Sequence, residues 1–216
     1  MENYMNDYLT IALPKGKLFT ISKNLLHRVG LSADHLSEKS RKLVIENGDL
    51  KVRFIIAKTS DVPTYVEYGA ADIGIIGKDI LLESQKDVYE ILDLGFGKCH
   101  LMMAVPQKEK RRRLLDYSYT RVATKYPHIA ESFFARQGMQ MEYIKLNGSI
   151  ELGPIVGLSE SIVDIVETGT TLAENDLEEI AHILDVSARL IVNRVSFKLK
   201  FHRINEIVNN LRPIIE

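Results

Sequence analysis

Asp164-Ile-Val-Glu-Thr-Gly-Thr-Thr-Leu172 decides how this chain is read. With the two residues before it, it opens as the β-branched run Ile162-Val-Asp-Ile-Val166, which reads as a buried strand. The run leads straight into Glu167-Thr-Gly-Thr-Thr171. Apolar side chains at Leu172, Ala173, Leu177, Ile180, Ala181 and Leu184 then recur at helical spacing, so a helix is expected over this span. A strand, a Thr/Gly loop and a helix together make an anion site. The first helical amides lack intrahelical partners and carry the positive end of the dipole. Gly169 lets the backbone fold tightly, and Thr168, Thr170 and Thr171 offer hydroxyl donors. A phosphate suits such a loop.

Two acids set the stretch apart. Asp164 interrupts an apolar strand and Glu167 stands at its mouth. A pure phosphate cradle gains nothing from carboxylates, which repel the guest. They have a task if the ligand also carries hydroxyls, as a ribose 5-phosphate does, since a carboxylate accepts hydrogen bonds from them. The other reading is an ordinary strand, turn and helix, with threonines capping the helix and Asp164 paired to a structural lysine.

At 216 residues the chain is long enough for one large or two small domains. Its 45% hydrophobic and 26% charged residues are ordinary for a globular protein. A net charge of -1 gives no global signal for nucleic acid or for a membrane surface. Cys99 is the single cysteine, so neither an intrachain disulfide nor a cysteine metal site is expected. The acidic, polar stretch at residues 1–7 does not read as a secretory signal, and no apolar run approaches membrane-spanning length. A cytoplasmic setting is expected. Asn147-Gly-Ser149 matches a glycosylation acceptor but reads as a turn.

Along the chain, Leu9 to Leu13 reads as a strand, followed by Lys15-Gly16-Lys17 and a helix with Leu18, Ile21, Leu25 and Val29 inside. The two lysines suit either a second anion loop or plain solvation. Asn47-Gly48 predicts a hairpin between Arg41–Glu46 and Leu50–Ala57. A helix over Val62–Tyr68, a strand over Ala71–Gly77 and a helix from Lys78 follow. Strands at Tyr89–Leu94 and Cys99–Val105 flank Gly95-Phe-Gly97, a candidate crossing between domains. The basic run from Lys108 to Arg113 suits a solvated helix face or a polyanion. Thr120–Thr124 and Met139–Leu146 read as strands around a helix at Pro127–Gln137. A strand over Val186–Val195 and an amphipathic helix over Phe197–Leu211 complete the chain. The β-α alternation predicts mainly parallel sheets flanked by helices, an α/β class.

Five stretches together resemble the ATP phosphoribosyltransferase family, which opens histidine biosynthesis. They are Leu13-Pro-Lys-Gly-Lys-Leu18, Asp61-Val-Pro-Thr-Tyr-Val-Glu-Tyr-Gly69, Ala71-Asp-Ile-Gly-Ile-Ile-Gly-Lys-Asp79, Glu151-Leu-Gly-Pro-Ile-Val-Gly-Leu158 and Asp164–Leu172. They span nearly the whole chain in order. The chain stops at Glu216, where long forms of the family continue into a regulatory domain, so it resembles the short form. Lys17 and Lys58 depart from the family's pattern, which more often has arginine there. Both keep the charge and lose the planar fork, which bears on the geometry of phosphate contacts.

The resemblance implies a fold of two periplasmic-binding-protein-like α/β lobes with an active-site cleft between them. Lobe I would comprise residues 1–94 and 188–216, and lobe II residues 95–187. It implies condensation of ATP with 5-phosphoribosyl 1-pyrophosphate. Thr168, Gly169, Thr170 and Thr171 would take the 5-phosphate. Asp164 and Glu167 would hold the ribose hydroxyls and favour a cationic transition state. Lys15, Gly16, Lys17 and Lys58 are candidates for pyrophosphate or ATP phosphates. Glu151 lies in the signature region without a defined role. Mg²⁺ would bind through pyrophosphate, with no dedicated protein ligands. The implied partner is a histidyl-tRNA-synthetase-like regulatory subunit in a hetero-oligomer.

Overall fold

The computed structural model describes residues 8–31, 36–37, 42–109 and 113–215. Residues 1–7, Arg41 and the centre of the basic run, 110–112, on which the sequence reading also drew, lie outside the described residues. The chain divides into two compact units, Met1–Gly97 with Ser187–Glu216, and Lys98–Val186.

The first unit runs β1 (Leu9–Pro14), α1 (Lys17–Arg28), β2 (Val44–Asn47), β3 (Val52–Ala57), α2 (Val62–Glu67), β4 (Ile73–Gly77), α3 (Lys78–Ser84) and β5 (Tyr89–Asp93). The second runs β6 (Cys99–Pro106), β7 (Arg121–Thr124), α4 (Pro127–Arg136), β8 (Glu142–Lys145), α5 (Leu152–Ile155), β9 (Ser161–Val166), α6 (Thr170–Glu174) and β10 (Leu177–Val186). The chain then returns to the first unit as β11 (Ala188–Val192), α7 (Arg194–Leu199) and α8 (Phe201–Ile215).

In the first unit the strand order is β2-β3-β1-β4-β11-β5. β1 is parallel to both β3 and β4. β2 and the returning β11 add antiparallel pairs. β1 is buried at every position, as expected of a strand covered on both faces. Its alternation sends Leu9, Ile11 and Leu13 into one core with Leu25 and Leu26 of α1 and Ile204, Val208 and Leu211 of α8. Ala12 points to the other core, built with Val62 and Val66 of α2 and Leu81 of α3.

The second unit has the order β10-β6-β9-β7-β8. β7 is parallel to β8 and β9, while β6 is antiparallel to β9 and β10. The sheets are therefore mixed, the antiparallel pairs arising at the hairpin β2-β3 and where the chain leaves and re-enters each unit.

Two expected helices differ. The helix expected over Leu172–Leu184 is only five residues, Thr170–Glu174, and Leu177–Val186 is a strand paired along β6. The register shifts between Glu179 and Ala181 and again between His182 and Leu184. Each shift inserts one residue, so the apolar spacing of a strand stretches from two toward three and imitates a helix. The helix expected over Phe197–Leu211 is two helices that meet at Lys200. Lys200 turns inward there, and its Nζ donates to Asp72 Oδ2 and to the Tyr8 carbonyl, each at 2.7 Å. Asp72, 5% exposed, also accepts from the Thr10 amide at 2.8 Å and the Ser196 hydroxyl at 2.6 Å.

Candidate active site

β9 is the middle strand of the second sheet, which gives its side chains a fixed platform. Ile162, Asp164 and Val166 share one face of it. Ile162 and Val166 belong to a core with Met102, Ala104, Ala123, Ile150, Leu172 and Leu177. Asp164 stands between them, opposite Met102 in the register. The strand thus places a carboxylate on an otherwise apolar face.

That placement shows in its acidity. Burial pushes the Asp164 carboxyl up to about 6 from 3.8. The Ile165 amide, donating to Asp164 Oδ1 at 2.8 Å, and the charge of Lys125 both pull downward. The negative charge of Glu151 pushes upward. Near neutral pH the group is therefore ionised but poorly solvated, and it is poised to accept hydrogen bonds from a ligand.

The loop that follows is built on Gly169, whose φ of 76° lies in the left-handed region. The Gly169 carbonyl accepts from the Ala173 amide at 3.1 Å, and buried Leu172 anchors the turn. The hydroxyls of Thr168 and Thr170 are 3.1 Å apart. The Thr171 carbonyl accepts from the Asn175 side chain at 2.8 Å. Glu167 is exposed at the end of β9. Because α6 is only five residues long, few peptide dipoles add up behind the loop. The donors available to an anion are instead the first-turn amides and the threonine hydroxyls.

Glu151 and Asp164 lie close enough to interact electrostatically, so the structure brings these two acids together. It adds Lys125, which the sequence reading passed over. Lys125 follows directly on β7, at the carboxyl end of a strand parallel to β9. Ligands gather at that end of parallel strands, and this was the signal that could have found it.

Lys15, Gly16, Lys17 and Lys58 belong to the first unit. There too the structure gathers what the sequence separates. Pro14 and Ala57 are register partners at the ends of the parallel strands β1 and β3. The Lys15 amide donates to the Ala57 carbonyl at 2.9 Å, and the Thr59 hydroxyl donates to the Lys15 carbonyl at 3.3 Å. The Lys15–Lys17 loop and the Lys58 segment are thus laced together. Gly16, with φ of 93°, opens the twelve-residue helix α1 with no side-chain cap. Among the described residues no group of three or more His, Cys, Asp and Glu is placed to hold a metal ion, and no helix is long and apolar enough to cross a membrane.

A family model described as ATP phosphoribosyltransferase matches residues 58–213. The chain is 52% identical over 216 residues to the ATP phosphoribosyltransferase of Desulfitobacterium hafniense (strain Y51), covering 97% of each chain. It is 51% identical over 212 residues to that of Syntrophotalea carbinolica, covering 98% of this chain and 97% of the other. Among solved structures it is similar to the "ATP phosphoribosyl transferase (HisG:HisZ) complex from Thermotoga maritima", with a TM-score of 0.81, 32% identity, and coverage of 96% of this chain and 98% of that one. A substrate-binding protein of an amino acid ABC transporter has a TM-score of 0.61 at 11% identity, covering 95% of this chain and 92% of that one, a likeness of fold alone.

Proposed function

The chain belongs to the ATP phosphoribosyltransferase family, and we propose that Asp164 and the Thr168–Thr171 loop hold the ribose and the 5-phosphate of its sugar donor. The enzyme condenses ATP with 5-phosphoribosyl 1-pyrophosphate to N1-(5-phosphoribosyl)-ATP and pyrophosphate, the first step of histidine biosynthesis. A bond forms from adenine N1 to the anomeric carbon as the bond to pyrophosphate breaks. Positive charge builds on the sugar as the leaving group departs, as in glycoside cleavage. Catalysis then rests on positioning and electrostatics.

The observation that carries this reading is Asp164 itself. A carboxylate partly buried between Ile162 and Val166 beside the Thr/Gly loop can accept from ribose hydroxyls with much of its own hydration removed. Its charge favours the cationic transition state. Glu167, at the mouth of the strand, takes the same task from the solvent side. The loop's amides and the hydroxyls of Thr168, Thr170 and Thr171 take the 5-phosphate. Lys15, Gly16, Lys17 and Lys58 of the first unit answer to pyrophosphate or ATP phosphates. Glu151 tunes Asp164 through its charge.

All the side-chain donors at Asp164 and its loop are oxygens, which suits a hard cation such as Mg²⁺. When bound through pyrophosphate, Mg²⁺ supplies neutralisation of the leaving charge. The likeness to the Thermotoga maritima HisG:HisZ complex supports a second subunit as partner, which we read as a histidyl-tRNA-synthetase-like regulatory one, and with it we propose a cytoplasmic setting.

The test mixes the protein, with and without such a partner, with ATP, phosphoribosyl pyrophosphate and Mg²⁺, and follows the N1-substituted adenine chromophore. Asp164→Asn is expected to remove most turnover while the fold persists. Wild-type turnover in that variant would overturn the ribose assignment.

A further inference from the structure

Beside the Gly169 loop stands a histidine–carboxylate pair that the proposed reaction does not use. His100 on β6 lies opposite Val166 of β9, and Met102 opposite Asp164. Glu179 on β10 lies opposite Ala104, and His182 opposite Met102. Residues paired across a ladder share a face, so His100, Glu179 and His182 occupy the same side of the sheet as Asp164. His100 Nε2 is 3.5 Å from Glu179 Oε2, and each side chain is about a third exposed. The other oxygen, Glu179 Oε1, comes within 3.7 Å of the point where a Cβ would stand on Gly169.

Glu179 therefore forms part of the wall against the very residue on which the loop turns. A bare carboxylate there would oppose a phosphate dianion on the loop, since like charges at such range repel through a partly desolvated surface. Among the described residues, the basic side chain that meets that carboxylate is His100. His182 stacks on His100 with ring centroids 6.0 Å apart, and its own Nε2 meets Asp185 Oδ1 at 2.8 Å. The four side chains form no metal site among the described residues. They read instead as two histidine–carboxylate pairs, the inner one facing the loop.

We propose that Glu179 and His100 are a positioning pair for the Gly169 loop. The carboxylate walls the glycine, and the imidazole behind it, a cation whenever it takes up a proton, offsets that charge, so that the loop accepts the 5-phosphate of phosphoribosyl pyrophosphate. This rests on the assignment of the 5-phosphate to Thr168–Thr171.

The experiment is steady-state kinetics on the full chain, with its regulatory partner if activity requires it, varying phosphoribosyl pyrophosphate and ATP separately. His100→Gln is expected to raise the KM for phosphoribosyl pyrophosphate about tenfold, leaving a carboxylate uncompensated near the anion. The KM for ATP should move much less. His100→Arg, which carries a permanent charge, should keep the KM near that of the wild type. Glu179→Gln alone should lower it, and Glu179→Gln added to His100→Gln should restore it. A merely structural role would not show this rescue. The proposal is overturned if the double variant stays as poor as His100→Gln, if arginine behaves as glutamine does, or if both KM values rise together. Thr170→Val separates the two ideas. If it leaves the KM for phosphoribosyl pyrophosphate unmoved, the phosphate assignment fails and takes the pair with it. If Thr170→Val raises that KM and His100→Gln does not, the pair alone is wrong.

Discussion

Lys200 and Asp72 are joined at 2.7 Å across 128 positions of sequence, at the turn where the helix expected over Phe197–Leu211 divides in two. The carboxylate is buried beneath the start of β4 and satisfied by three donors from β1, α7 and the junction before α8. Lys200→Met leaves it without its counter-charge. The loss should be about 3–5 kcal/mol, the cost of breaking a buried pair by removing one partner. Denaturant unfolding would measure it. Lys200→Met combined with Asp72→Asn should recover part of that loss, and a double variant as unstable as the single one would discount the charge argument.

Activity should depend on the ionisation of Asp164. Its carboxyl titrates at about 6 in the folded protein, and in the proposed role only the ionised form accepts from both ribose hydroxyls. The kcat/KM for phosphoribosyl pyrophosphate is expected to fall about tenfold for each pH unit below that value. A profile flat from pH 5 to 8 would contradict the role.

The same shift makes Asp164 a burden on the unliganded fold. Its folded pKa is raised, so the folded state binds the proton more tightly than the unfolded chain does. Stability is thus lost as pH rises from about 4 to about 6, and the full deficit persists above that. Asp164→Asn should therefore be more stable than the wild type at pH 8, by up to about 3 kcal/mol, and no more stable below pH 4. Paired thermal melts at the two pH values decide it. A variant that loses turnover yet gains stability would mark Asp164 as a group kept for chemistry.

Gly169→Ala tests the loop. A Cβ there has room, with the nearest atom 3.7 Å away, so the cost is conformational rather than steric. A left-handed φ costs a residue with a Cβ about 1–2 kcal/mol. The expected result is a modest drop in Tm with a rise of tenfold or more in the KM for phosphoribosyl pyrophosphate, as the threonines shift. An unchanged KM would move the phosphate elsewhere.

Much of the fold was legible locally. The apolar runs of β1 and β9, the Asn47-Gly48 hairpin and the Pro-opened helices α2 and α4 obey rules that act over a few residues. The misreadings had long-range causes. β10 takes its register from β6, and its two inserted residues are needed only for that pairing. The break at Lys200 coincides with a contact to a carboxylate far away in sequence. The candidate site divides in the same way. Asp164 and the threonine loop stand out because an acid in an apolar run is locally odd. Lys125, His100 and Glu179 are unremarkable in sequence and acquire meaning only when strand pairing places them around β9.

The second unit is also an insertion with adjacent ends. Cys99 and Val186, at its two limits, are register partners. In the first unit the Ala188 amide donates to the Phe96 carbonyl at 2.8 Å, and the Leu94 amide donates to the Ala188 carbonyl at 2.9 Å. The first unit therefore needs only a tight turn between Gly97 and Ser187 to become one uninterrupted chain, and the second could be permuted by sealing Lys98 to Val186 and opening a surface loop. Topologically, residues 98–186 are a cassette that could be exchanged between relatives at a single pair of splice points.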